Sequence, residues 1–115
     1  MSKTLTEAEV RTLFEAGITA AKQAVQTYHR DKLKGKDQMP CGFGWVEIYN
    51  VRANSKIGKV FDEYKCRKSS SGAHVVWNPG CYMGQNVSCV YEGAIAFAQV
   101  FKAAGFEAYA CDRLD

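Results

Sequence analysis

Much that would mark a membrane protein, a disulfide-stapled protein or a zinc finger is missing from this 115-residue chain. No window approaches the roughly 20 consecutive apolar residues of a membrane span. The opening "MSKTLTEAEV" has an early acidic pair and no apolar centre, so no secretory signal is expected there. Histidine is scarce, at two residues, and the five cysteines (Cys41, Cys66, Cys81, Cys89, Cys111) form no C-x-x-C. Structural zinc takes ligands in close sequence pairs. An odd set of scattered thiols suits a reducing cytoplasm better than a disulfide framework. Neither a metal nor a cofactor is expected. There is no glycine-rich phosphate loop either, because "GFG" at 42–44 leads into a strand instead of joining a strand to a helix.

What is present is ordinary globular material. Hydrophobic residues make up 47% and charged residues 23% of the chain, enough for one domain with its own core over 1–115. The net charge of +3 is mild but uneven. One basic group is "HRDKLKGK" at 29–36, and a second runs from Arg52 to Lys68 through Lys56, Lys59, Lys65 and Arg67. Such groups are commonly solvated surface; they also attract phosphate. The excess is too small for a dedicated duplex nucleic-acid binder.

The first element is the clearest. Thr6 with Glu9 forms a capping box, and Val10, Leu13, Phe14, Ile18, Ala21, Val25 and Tyr28 recur at helical spacing. A helix to about Leu33, ending near Gly35, would reach roughly 42 Å at 1.5 Å per residue. That exceeds what a small sheet covers, so segment 1–35 is expected to lay part of its stripe against a second copy of the chain. After a linker, 41–115 reads as an α/β core. "FGWVEIYNV" alternates as a strand with Val46 and Ile48 toward the helices and Trp45 on the opposite face.

Asn54 or Ser55 caps a second helix carrying Ile57, Val60, Phe61 and Tyr64. "AHVVWN" is a strand halted at Pro79-Gly80, and 84–88 is read as a short return strand. Ser88 or a neighbour opens a third helix that stops at Gly105, and "FEAYAC" closes the fold as a strand before a short tail. The expected class is α/β (α+β): a long N-terminal helix, then β-α-β(β)-α-β, with helices packed on a three- to four-stranded sheet.

Catalytic chemistry finds little support. His74 with Cys81 or Cys89 could form a nucleophile and base, but neither cysteine sits in a family signature. Asp62-Glu63 falls on the polar side of a helix. Binding is the better reading. Trp77, Asn78, Tyr82, Gln85 and Asn86 gather rings and amides around one turn. Bases stack on such rings, amides read base or ribose edges, and Arg113, Lys56 and Lys59 are candidates for phosphate. Trp45 is a further stacking candidate. Core packing for Trp77 and a plain turn for Asn-Pro-Gly are the competing explanations.

The motifs "CGFGWVEI", "VWNPGCYMGQ" and "AFAQVFKAAGFEAYACDRLD" occur here in that order. Together they resemble a family of short proteins encoded by tailed bacteriophages, over roughly residues 41 to 115. That set looks like the small anti-defence proteins, especially the Thoeris anti-defence sponges. The resemblance implies an oligomer in the host cytoplasm that binds an immune signalling nucleotide without cleaving it. The ligand would be a cyclic ADP-ribose isomer or a cyclic oligonucleotide. Three other readings stay open: an inhibitor that docks on a host protein through the aromatic strand face, a single-stranded nucleic-acid binder, and a small hydrolase using His74.

Overall fold

A computed structural model of the chain describes residues 5–32, 34, 42–69, 71–81 and 86–114. Their elements are α1 (Glu7–Asp31), β1 (Gly42–Tyr49), α2 (Lys56–Glu63), β2 (Arg67–Lys68), β3 (His74–Trp77), α3 (Val87–Ala103) and β4 (Glu107–Leu114). The fold is α+β, with a four-stranded antiparallel sheet in the order β2-β3-β1-β4. From β1 onward the β-α-β-β-α-β order, with β1 and β3 central, is that of interleaved split β-α-β units. The long helix α1 precedes them as an addition.

Each helix starts where a side chain can satisfy its open N–H groups. At α1 the Thr6 hydroxyl accepts the Glu9 N–H at 3.1 Å, and the Glu9 carboxylate accepts the Thr6 N–H at 2.9 Å. Ser55 caps α2 by accepting the Gly58 N–H at 3.0 Å. The C-terminus of α3 closes as a Schellman motif. Gly105 has φ +97°, its N–H donates to Lys102 O at 3.0 Å, and the Phe106 N–H reaches back to Phe101 O at 3.0 Å. The Phe101 and Phe106 rings, 5.3 Å apart, complete the motif's hydrophobic contact.

The core lies between the helices and one face of the sheet. Val46, Ile48 and Ala108 point into it, meeting Phe14, Phe61, Phe97 and Phe101. Phe14 is its hub, edge-on to Phe61 at 4.9 Å and to Phe101 at 5.0 Å, and stacked on Tyr64 at 4.3 Å. Burying each such ring stabilises by roughly 1.5–3 kcal/mol. α3 packs on β1 and β4, and α1 runs along α3.

Gly17 makes that last approach possible, since a Cβ there would sit 2.8 Å from the Phe97 ring. Val10, Phe14, Ala21 and Val25 of α1 are thereby buried within one chain. Four of the seven stripe residues are thus covered within the chain, while Leu13, Ile18 and Tyr28 stay partly exposed. The helix is accommodated lengthwise in a molecule measuring 42 × 26 × 23 Å.

Other expectations also change. Residues 87 and 88 are helical, so the return strand over 84–88 does not extend there; Asn86 forms a single β-bridge, and 84 and 85 lie outside the described residues. Positions 112–114, expected as a tail, belong to β4, because Asp112 and Leu114 find partners in Gly44 and Gly42. Arg67–Lys68 is an edge strand that the sequence reading left out.

An aromatic open face as candidate functional site

Because helices cover one side of the sheet, alternation leaves the other side open. β1 contributes Phe43, Trp45, Glu47 and Tyr49 to it, each half-buried. Antiparallel register then fixes their neighbours. Trp45 lies between Trp77 of β3 and Cys111 of β4; Glu47 lies between Val75 and Tyr109; Phe43 is opposite Arg113, and Tyr49 opposite Glu107. Arg67 of the edge strand is opposite Val75 and extends the Glu47 row.

The indoles dominate this face. Trp45 and Trp77 are stacked at 5.7 Å between centroids and 12° between planes, with Phe43 tilted against Trp77 at 5.5 Å. Trp77 is 54% exposed, so its ring is available to a ligand instead of being core. The Arg113 guanidinium stands 5.6 Å above the Phe43 ring, a cation–π contact that sets a positive charge beside the aromatic group. Tyr109, 47% exposed, packs edge-on to Tyr49 at 5.8 Å.

Glu47 ties these rings together. Its Oε2 accepts the Trp45 Nε1–H at 2.9 Å and its Oε1 accepts the Tyr49 O–H at 2.7 Å. These donors, the indole first, hold the carboxyl below its ordinary value, so it is ionised at neutral pH. Among the described residues no lysine or arginine forms a salt bridge with it. Nearby, burial and then the Glu47 charge push the Cys111 thiol up to about 11.

The expected site residues divide. Trp45, Trp77 and Arg113 converge on the open face. Asn78 ends β3 in a left-handed conformation (φ +45°), its N–H donating to Gly44 O at 3.0 Å and its carbonyl accepting the Cys81 N–H at 2.9 Å. The turn it begins is wedged against the helices: a Cβ on Gly80 would sit 2.5 Å from a Val25 methyl carbon and 3.0 Å from Ala21 O. Asn86, expected at a ligand, is 4% exposed and caps α3, its Oδ1 accepting the Cys89 N–H at 2.9 Å. Lys56 and Lys59 lie on α2, in the helix layer, and are not brought to the aromatic face. Tyr82 and Gln85 fall outside the described residues. Tyr109 was missed, and Arg67 was named only as a member of the basic group at 52–68; the alternation of "FEAYAC" was the available sign for Tyr109, but only register joins it to Trp45.

Catalytic candidates do not assemble on this face. His74 pairs with Ile48 on the inner side of the sheet and is 0% exposed. Burial lowers its pKa, and its Nε2 lies 3.0 Å from Val51 O, which fixes the neutral tautomer as donor there. Cys89 is buried with its thiol directed at Val25 O, and burial pushes the Cys66 thiol up to about 12. Among the described residues no three His, Cys, Asp or Glu are grouped to hold a metal ion. No described helix is long and apolar enough to cross a membrane.

A concavity of about 480 Å³ lies along α1, lined by Gln23, Thr27, Tyr28, Asp31, Lys32 and Glu92 among others. It offers one ring and charges of mixed sign, against a run of aromatic rings on the sheet. The sheet face is therefore the stronger candidate. No family model matches the chain, and comparison with curated proteins and with solved structures found no match for it either.

Proposed function

We propose that this protein is a non-catalytic nucleotide-binding module whose site is the open sheet face. One observation carries the reading: a stacked tryptophan pair on the two central strands, with Trp77 more than half exposed and the Arg113 guanidinium beside it. A base stacked on that pair gains about 1–3 kcal/mol, and the guanidinium takes phosphate in a fork. Among the described residues the reactive groups beside the rings are the Glu47 carboxylate, already bonded by Trp45 and Tyr49, and the Cys111 thiol, held protonated; this supports a ligand held without turnover. The resemblance to phage anti-defence proteins supports the finer version, in which the ligand is a host signalling nucleotide withdrawn from its receptor. Melting the protein with cyclic ADP-ribose isomers and cyclic di- and trinucleotides tests this. A binder raises the melting temperature, and the ligand is recovered intact on denaturation. Cleaved ligand, or no shift with any of them, removes the reading.

One observation favours a second reading. Aromatic side chains on the two central strands of a four-stranded sheet are the arrangement that stacks successive unpaired bases of RNA. Single-stranded oligonucleotide would then bind with an affinity that falls steeply as salt is added; an unchanged affinity would exclude it.

A further inference from the structure

Glu47 stands out on a face proposed to meet phosphates, because an anion there works against the ligand unless it serves the ligand. Its carboxylate is fixed by two neutral donors, one on each oxygen, from Trp45 and Tyr49, and the Cys111 thiol is a third, weaker donor to it. A carboxylate offers about four lone-pair sites and a thiol is only a weak donor, so one ligand N–H can take the open site and a second can displace the thiol. No cation within salt-bridge distance, among the described residues, takes up that capacity. Because Oε2 is 2.9 Å from the Trp45 indole nitrogen, the group sits at the rim of the stacking platform, within reach of the edge of a base lying on it.

A carboxylate with one site open and another held only by a thiol suits two N–H groups side by side. Guanine supplies them, as N1–H and N2–H. Adenine places a ring acceptor beside its amino group, cytosine does the same, and uracil flanks its one N–H with carbonyls, so each would face the carboxylate with a lone pair. We infer that Glu47 makes the open face selective for guanine, so that the ligand is a guanine nucleotide. The inference rests on the nucleotide reading above and narrows it toward guanine-bearing ligands. The Trp45 and Tyr49 bonds orient the carboxylate, and Tyr109 and Val75 border it on the same row of the sheet, with Arg67 one strand beyond Val75.

The chain has two tryptophans and both lie on this face, so intrinsic fluorescence reads occupancy directly. The test is titration of the full chain with GMP, IMP and AMP, which share charge and size. The expected order is GMP, then IMP, which lacks the second donor, then AMP, with GMP at least about tenfold tighter than AMP. Glu47→Gln, checked for an unchanged melting temperature, should erase the GMP preference while AMP binding persists. Equal binding of GMP and AMP to the parent protein would overturn the inference and leave the nucleotide reading in place. A uniform loss for all three in Glu47→Gln would also overturn it, since Glu47 would then merely steady Trp45. No quenching by any of the three would bring down the nucleotide reading and the inference together.

Discussion

Trp45 and Trp77 face each other across β1 and β3, their rings 5.7 Å apart and within 12° of parallel. The pair joins two strands far apart in sequence and yet leaves Trp77 largely in solvent. A stack of this kind adds about 0.5–1.5 kcal/mol beyond area burial. An equally large ring in the core contributes several times as much.

That contrast gives the first expectation. Trp77→Ala should lower stability by about 1 kcal/mol in denaturant unfolding, whereas Phe14→Ala should cost about 3–5 kcal/mol. Trp77→Ala should also weaken nucleotide binding by about tenfold or more. A large stability loss in Trp77→Ala would mean that the ring is structural, and the binding reading would lose its basis.

His74 sets an acid limit. Its pKa in the folded chain lies below the ordinary 6.5 because burial disfavours the cation. Between the folded value and 6.5 the unfolded chain therefore binds the extra proton, and stability falls as pH drops through that window. Unfolding curves collected from neutral pH downward should show this loss, and His74→Gln should flatten the His-dependent part of it. A parent protein equally stable on both sides of the window would contradict the buried neutral imidazole.

The cysteines should differ in reactivity. Cys66 and Cys111 are held as thiols by pKa values of about 12 and 11, and Cys89 is buried. Cys81 is exposed. Brief alkylation at neutral pH, followed by peptide mass spectrometry, should label Cys81 ahead of these three. Early labelling of Cys66 would show that its enclosure opens in solution.

Gly17→Ala tests the close approach of α1 to α3. The added methyl would meet the Phe97 ring at 2.8 Å, well inside contact distance, so Phe97 must move. Overpacking of this sort costs about 1–3 kcal/mol, against an expected gain of up to about 1 kcal/mol from helix propensity. A net rise in melting temperature would contradict the tight packing.

The sequence was most informative where a local rule fully determines the outcome. The Thr6–Glu9 box, the period of Val10 to Val25 and the stop at Gly105 are short-range patterns, and each appears as expected. β1 alternates strongly enough to put Trp45 on the face away from Val46 and Ile48. Register was not legible, because it depends on pairing between segments some thirty to seventy residues apart. Hence Tyr109 was missed, and Asp112 to Leu114 looked like a tail although the glycines at 42 and 44 receive them. β2, with two residues, is too short to alternate. Lys56 and Lys59 misled because membership of a basic run says nothing about layer, and α2 sits on the far side of the sheet.

The wedge of Gly80 against Ala21 and Val25, together with the Asn78 N–H bond to Gly44, has a thermodynamic consequence for whatever meets Trp77. The strand end that carries the indole is immobilised by the helix layer at the moment the chain folds. Ordering that segment is a folding cost, and an arriving guest is spared it. Rigidity built in this way slows departure more than it hastens arrival, so long residence on the face, and not rapid capture, is the kinetic behaviour that the turn favours.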